Sequence, residues 1–445
     1  MRQYGYFNSN KMNFTYKQIW LINFPVMMSI LVEQLINITD AIFLGHVGEV
    51  ELGASAIASI YYLAVYMLGF GFGIGLQVMI ARRNGEKNYE STGRVFFQGL
   101  YFLALLAVFL FILSKALSPL LLHRLISSGE VYDAVMKYID WRCFGLLFAF
   151  PALAFRAFFV GTTNTKMLTL NALAMVSVNI LFNYLLIFGK GGFPALGITG
   201  AAMASSLSEL VSLLIFLIYI ACMSNRQRYG IRPAFDWQLL RQLLRLSVWS
   251  MLQSFISVAP WFLFFVTIEH LGKSQLAIAN IVRSISTLFF VIVNSFATTT
   301  GSLISNLIGA EQSDYIHMVC RKVLKSGYLS GVPIILLAAV FHNQAIGIYT
   351  EDVALTEAAF PTFMVMLGNY FMALPAYIYC NAVTGTGNTR AAFLFQCITI
   401  VFYLLYLWMI SNFEDVSLTM YWLAEYIFVI LLFVFSYGFM RWKYF

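Results

Sequence analysis

One pattern in this chain rules out most folds. Apolar runs of about 20 residues or more, separated by short polar turns, recur along its whole length. A helix rises 1.5 Å per residue, so a run of that length covers the roughly 30 Å hydrocarbon layer of a bilayer. In lipid every backbone N–H and C=O needs a partner within the protein, and a helix supplies them all within one segment. Spans are predicted near 23–46, 52–80, 95–118, 138–161, 168–189, 197–222, 246–270, 275–306, 322–342, 359–383, 391–411 and 417–440. Of the 445 residues, 60% are hydrophobic and only 11% charged, against roughly a quarter charged in soluble domains. The expected fold is an all-α integral membrane protein with twelve transmembrane helices.

Twelve crossings return the chain to the side on which it began. With the loops assigned alternately to two sides, 19 of the 27 Lys and Arg fall on one side, in clusters such as Arg82, Arg83, Lys87 and Arg94. Six (Lys115, Arg124, Lys137, Arg142, Lys190 and Lys273) fall on the other, and only Arg156 and Arg283 are assigned to neither side. Cytoplasmic loops carry the basic excess, so both termini are expected in the cytoplasm and the chain in the plasma (inner) membrane. The net charge of +7 is then an orientation signal, and no nucleic-acid partner is implied. Residues 1–20 lack the compact apolar core and small-residue cleavage site of a signal peptide. Five cysteines, mostly in or near apolar segments, form neither a disulfide framework nor a zinc motif.

A shift of 224 residues lays the sequence on itself. His46 meets His270, Gly48 meets Gly272, Gly85 meets Gly309, Pro151 meets Pro375 and Gly161 meets Gly385. The strings GHVGEVEL and EHLGKSQL align, as do GTTNTK and GTGNTR. Each copy holds six spans, an even number, so the two share one membrane orientation and are related by a pseudo-two-fold along the membrane normal. The domains expected are an N-lobe over 1–222, a cytoplasmic linker over 223–245 and a C-lobe over 246–445. The later part of the linker, FDWQLLRQLLRL, spaces Leu and Trp like an amphipathic helix at the interface. Paired bundles of this kind are a transporter architecture, with a pathway that faces each side in turn.

A repeat separates scaffold from chemistry, because scaffold residues recur and site residues need not. In the first span Ser29, Glu33, Asn37 and Asp40 form one polar stripe on a helix. Their counterparts are Gln253, Ser257, Trp261 and Phe264. Asn179 and Asn183 share a face one turn apart in the fifth span, opposite Tyr403 and Leu407, and Glu209 in the sixth maps to Phe433. The ionisable content of the interior is therefore expected in the N-terminal half alone. A charged residue at the bilayer centre costs roughly 2.5–3.5 kcal/mol even on the lenient insertion scale. Burial favours the protonated form of a carboxyl and a bound cation favours the ionised form. That competition is what an ion-coupled transporter uses, and Asp40, Glu33, Asn37, Asn179, Asn183 and Glu209 are the candidate cation-coupling residues. The competing reading is interhelical glue.

Other features read as structural. The GFGFGIG run, Gly69 to Gly75, lacks the strand–turn–helix setting of a dinucleotide loop and fits close helix packing. Arg156 is placed to snorkel toward the cytoplasmic side. Arg283 lies deeper and has no assigned role, and His46 and His270 occupy repeated outer turns. Trp261, Phe264, Phe265, Tyr370 and Tyr377 are candidates to line an apolar cavity suited to cationic aromatic molecules.

Three strings in order, ITDAIFLGHVGEVELGA, the glycine-rich second span ending in ARRNGEKN, and NILFNYLLIFGKGGFPALGITGAAMASS, resemble the multidrug and toxic compound extrusion family over nearly the whole chain. The resemblance implies a two-lobed antiporter, acting as a monomer, in which proton or sodium entry drives export of small organic, often cationic, compounds. It implies no cofactor beyond that coupling ion, and no metal beyond a sodium ion at Asp40, Asn179 and Asn183. Asp40 matches the family's first-helix acid. Pro25 looks like the first-helix proline at which members of the DinF-like branch bend. Asn183 is a departure, since many relatives have Asp there, and this weakens a sodium site and favours protons. Many members carry an acid in the seventh or tenth span, whereas here Glu269 lies at the outer end of its helix. A flippase for lipid-linked saccharides is the nearest alternative. A membrane enzyme would need a nucleophile, base or metal motif, and no HExxH, GxSxG or His/Cys cluster is present. A passive channel is a further alternative, and uphill transport would discriminate against it.

Overall fold

Among the described residues of the structure, a computed structural model, twelve helical segments are long and apolar enough to cross a membrane. The structure describes residues 14–126, 128–223, 227–268, 271–350, 352–413 and 416–445. Arg2, Lys11, Arg226, Glu269 and His270 lie outside the described residues, as does part of the seventh-span outer turn. Among the described residues there is no strand.

The first three spans run as single long helices: α1 (Tyr16–Gly45), α2 (Glu49–Gly85) and α3 (Tyr89–Leu125). The fourth is broken at Cys143 into α4 (Gly129–Arg142) and α5 (Phe144–Gly161), and α6 (Lys166–Phe188) and α7 (Ile198–Cys222) follow. The seventh is likewise in two pieces, α8 (Trp237–Ile256) and α9 (Ala259–Ile268). Pro260 explains that break, because it has no N–H to return to the Ile256 carbonyl. Then come α10 (Lys273–Gly309), α11 (Ile316–Val340), a short α12 (His342–Gly347), α13 (Val353–Gly385), α14 (Thr389–Ser411), α15 (Leu418–Trp422) and α16 (Ala424–Tyr444). Side chains start several of these helices by accepting from free N–H groups. Asn88 takes the Ser91 amide at 3.2 Å, and Asp352 takes the Ala354 amide at 2.9 Å.

One boundary differs from the sequence expectation. The amphipathic stretch expected as a separate interfacial helix is the first part of α8, which continues from Trp237 into the seventh span. Asp236 caps it, accepting from the Leu239 amide at 3.0 Å. No Pro or Gly follows to end the helix before the membrane segment.

The 224-residue repeat is a repeat of backbone as well as of residues. The bounds of α2, 49–85, shifted by 224, are those of α10, and α6 and α14 match to within a residue at each end. Lys87 and its mate Glu311 both take the left-handed conformation at φ 58°, and Thr163 (φ 58°) is matched by Gly387 (φ 88°). L-residues avoid that region, so its recurrence at paired turns marks a shared fold.

Packing divides the chain into two compact units. The N-terminal unit comprises Met28–Arg83 and Asn88–Phe255, and the C-terminal unit comprises Ile256–Phe445 together with α1 up to Met27 and the turn Asn84–Lys87. The linker expected at 223–245 thus falls inside the N-terminal unit. The first half of α1 is held to α10 by a buried polar contact, in which Asn23 bonds Ser295 at 3.3 Å and Thr299 at 2.9 Å. Within the N-terminal unit the glycine run closes α2 onto α8. A Cβ at Gly71 would lie 2.6 Å from the Met251 Cα, and one at Gly75 would lie 2.7 Å from the Ser247 Cα. Only glycine permits backbones to approach that closely, so the run is a packing device.

Candidate functional site: buried carboxyl clusters of the N-terminal unit

Asp40 lies five residues before the end of α1, and its exposure is only 8%. Its carboxylate accepts three hydrogen bonds from the two helices packed around it. Asn183 donates through Nδ2 to Oδ1 at 2.5 Å, Asn179 donates to the same oxygen at 3.3 Å, and the Ser205 hydroxyl donates to Oδ2 at 2.7 Å. The donors are themselves linked. Asn183 also donates to Asn179 Oδ1 at 3.1 Å, and Asn179 donates to Ser205 Oγ at 3.2 Å. The one-turn spacing of Asn179 and Asn183 on α6 points both amides at a single carboxylate. Asn179 and Asn183 are fully buried. Among the described residues no Arg, Lys or His lies within 4 Å of Asp40.

The other two carboxylates of the expected set have cationic partners. Glu209 on α7 forms a bidentate pair with Arg142, at 2.7 and 2.8 Å. Tyr62 on α2 donates its hydroxyl to the same carboxylate at 3.0 and 3.2 Å, and the guanidinium lies 3.6 Å from the Tyr62 ring centroid. Gly145 leaves room for the pair, since a Cβ there would fall against the Glu209 carboxylate and the Arg142 guanidinium. Glu33 accepts from Arg156 at 2.9 Å. Arg156 is therefore an ion-pair partner turned to α1, which corrects the snorkelling expectation. Arg142, expected in an outer loop, ends α4 and is drawn inward by Glu209. The structure does not bring Glu33 or Glu209 into the Asp40 cluster, and Asn37 is exposed.

Sequence reasoning missed Ser205, Arg142 and Tyr62. Ser205 was legible in principle, standing one turn before Glu209 on a stripe that continues through Ser212, whose hydroxyl accepts from Asn171 at 2.8 Å. The need of each buried carboxylate for a counter-charge was the signal for Arg142.

In the C-terminal unit, the expectation that ionisable groups are confined to the N-terminal half is wrong. Glu425 lies in the first turn of α16 and accepts from the Tyr403 hydroxyl at 3.1 Å. It stands inside the predicted twelfth span, 417–440, and was missed because the search for acids followed the positions paired with Asp40 and Glu209, which are Phe264 and Phe433. Of the aromatic residues expected to line a cavity, Phe264 and Tyr370 pack inside the core instead. Phe264 is fully buried, its ring 5.2 Å from that of Trp422, and Tyr370 donates to the Gly327 carbonyl at 2.9 Å. Trp261 and Tyr377 are partly buried, against Trp422 and Phe290. Phe265 lies beneath Arg283, 4.8 Å from ring centroid to guanidinium.

Two six-span copies with a buried acid held by a polar cluster define the chain as a multi-pass membrane protein of transporter architecture. The profile of the MatE family matches it twice, over residues 25–185 and 250–409, one match per repeat. The chain belongs to the MatE family, the multidrug and toxic compound extrusion transporters. It is 22% identical over 398 residues to a probable multidrug resistance protein NorM of Shewanella oneidensis, covering 85% of this chain and 83% of that one. It is 24% identical over 340 residues to a probable multidrug resistance protein YoeA of Bacillus subtilis, covering 75% and 73%. Among solved structures, an outward-facing MATE family transporter of the MOP superfamily superposes with a TM-score of 0.88 at 19% identity, covering 96% of this chain and 95% of that one.

Proposed function

We propose that this transporter is a proton-coupled antiporter that exports organic, often cationic, compounds by alternating access, and that Asp40 is its coupling group. The observation that carries this reading is the cluster itself: a buried carboxylate with three neutral donors and, among the described residues, no ion-pair partner within 4 Å. Three donors support the ionised form. An amide can serve the protonated form equally well. Asn183 Oδ1 is buried and accepts no hydrogen bond, so turning that amide over would present an acceptor to the O–H of a protonated Asp40. The same two amides thereby hold either state of the carboxyl, which is what a reversible proton site needs.

Relatives described as multidrug resistance proteins support organic compounds as the exported class. Pro25 supports a conformational role for α1. It leaves the Leu21 carbonyl without its helical partner, and it lies two residues before the point where α1 passes from one packing unit to the other. In the cycle we favour, a proton from outside neutralises Asp40, α1 repacks near Pro25 and substrate is expelled; release of the proton to the cytoplasm resets the site. Only a site whose proton affinity differs between the two states biases that equilibrium.

The test is dye efflux from proteoliposomes under separately imposed proton and sodium gradients, with wild type and Asp40→Asn. A proton gradient is expected to drive wild-type export, and Asp40→Asn to abolish it while eluting as a folded monodisperse species. A folded Asp40→Asn protein that exports at the wild-type rate would remove Asp40 from the coupling step. Efflux driven by sodium alone would replace the proton.

A further inference from the structure

We infer that Glu425 is a second proton-binding site, in the C-terminal unit, with Tyr403 as its hydrogen-bond donor. This goes beyond the Asp40 reading and rests on a separate set of contacts.

The repeat points to it. Tyr403 on α14 is the mate of Asn179 on α6, at the 224-residue offset. In each half, then, the same position of the fifth span donates a hydrogen bond to a carboxyl: Asn179 to Asp40 at 3.3 Å, and Tyr403 to Glu425 at 3.1 Å. What differs is the helix that supplies the acid. In the N-terminal half it is α1. In the C-terminal half the mate of Asp40 is Phe264, which is fully buried in the aromatic core, and α16 supplies Glu425 in its place. The remaining mates are apolar as well. Leu407 replaces Asn183 and Val429 replaces Ser205, each 2% exposed.

Glu425 therefore has a sparser polar setting than Asp40, with one donor in place of three. Phe428, one turn behind it in sequence, packs edge-on against the Tyr403 ring at 6.2 Å. Among the described residues of the elements packed against α16, the charged side chains of α13 and α14, Glu357 and Arg390, form no ion pair with Glu425. Toward Glu425, α13 presents the Tyr377 phenol and α14 the Tyr403 phenol, while α15 contributes the buried Tyr421 and Trp422. Among the described residues no guanidinium, ammonium or imidazole lies within 4 Å of it. Glu33 and Glu209 differ in this respect, since each is matched by an arginine. A carboxyl in a membrane-spanning helix with no cation is stable as the neutral acid and tolerates the charged form only when the site is wetted or rearranged. Tyr403 can serve both forms, because its hydroxyl donates to the carboxylate and to the carbonyl oxygen of the acid alike. Binding and release of a proton at Glu425 needs no co-reactant beyond water.

Infrared difference spectroscopy of the protein in liposomes, acid minus alkaline, reads protonating buried carboxyls one by one. Wild type is expected to give two carboxylic C=O bands, one lost in Asp40→Asn and the other in Glu425→Gln. Gln keeps an oxygen that accepts from Tyr403, so the variant should fold. Tyr403→Phe leaves the acid in place and is expected to shift the Glu425 band to higher frequency, a signature that simple loss of packing does not produce. A Glu425→Gln difference spectrum identical to that of wild type would overturn the proposal, as would a Tyr403→Phe spectrum in which the Glu425-sensitive band stays where it was. The Asp40 band is scored separately, so failure at one carboxyl is not mistaken for failure at the other.

Discussion

Breaking the Arg142–Glu209 pair tests how the N-terminal unit manages its internal charge. The pair joins α4 to α7 through hydrogen bonds of 2.7 and 2.8 Å, and its side chains are only 14% and 8% exposed. Removing one partner of a buried pair strands the other, at about 3–5 kcal/mol. Glu209→Gln retains one oxygen that can accept from the guanidinium, so its cost is expected at the lower end, about 3 kcal/mol. Arg142→Gln leaves a carboxylate with the Tyr62 hydroxyl as its principal donor and is expected at the upper end, about 5 kcal/mol. The double variant carries no buried charge and keeps an amide–amide contact. Its cost should be that of the lost charge-assisted bonds, about 2–3 kcal/mol. A double-mutant cycle would then show a coupling energy of several kcal/mol, well above the roughly 0.5 kcal/mol scatter of independent sites. The assay is reversible unfolding of the purified protein in mixed detergent micelles, followed by tryptophan fluorescence. Additive single-variant costs, with coupling inside that scatter, would mean that the two side chains do not form the pair.

In the same assay Glu33→Gln should cost less than Glu209→Gln, because the Glu33 side chain is 36% exposed and the amide can still accept from Arg156; the opposite ranking would refute the assignment of the two pairs. Lys87→Gly and Glu311→Gly, both at φ 58° and exposed, should each stabilise by about 0.5–1 kcal/mol. Relief of left-handed strain exceeds the entropy that glycine adds to the unfolded chain, and destabilisation at either turn would contradict the backbone described.

Apolar periodicity made the spans legible, and a fixed offset made the two copies legible, because helix length and turn conformation are written into local sequence. The breaks at Cys143 and Leu423 were not, since neither carries a helix-breaking residue. Asp40, Asn179 and Asn183 were legible because a polar stripe on an apolar helix has few explanations. Partners drawn from distant segments were not: Arg142 lies 67 residues from Glu209 and Arg156 lies 123 from Glu33. Nothing local in WRC or AFRAF says which acid each arginine meets. Phe264 and Tyr370 were misread for the same reason, because an aromatic ring on a span fills a core or faces a cavity with the same sequence signature.

That distribution of partners is what singles out Asp40. Three carboxyls occupy the polar interior of the N-terminal unit, and two of them are bound to guanidinium groups. Protonating Glu209 or Glu33 would leave Arg142 or Arg156 as an uncompensated charge, and a buried lone charge is among the costliest features a fold can hold. Each of those two acids is thus tied to its own guanidinium partner. Asp40 is held by amides and a hydroxyl, which stay neutral whichever state the carboxyl adopts. Its charge can change without stranding another. In the proposed cycle the ion pairs therefore serve Asp40 indirectly, by keeping Arg142 and Arg156 matched to other acids and leaving Asp40 with neutral partners.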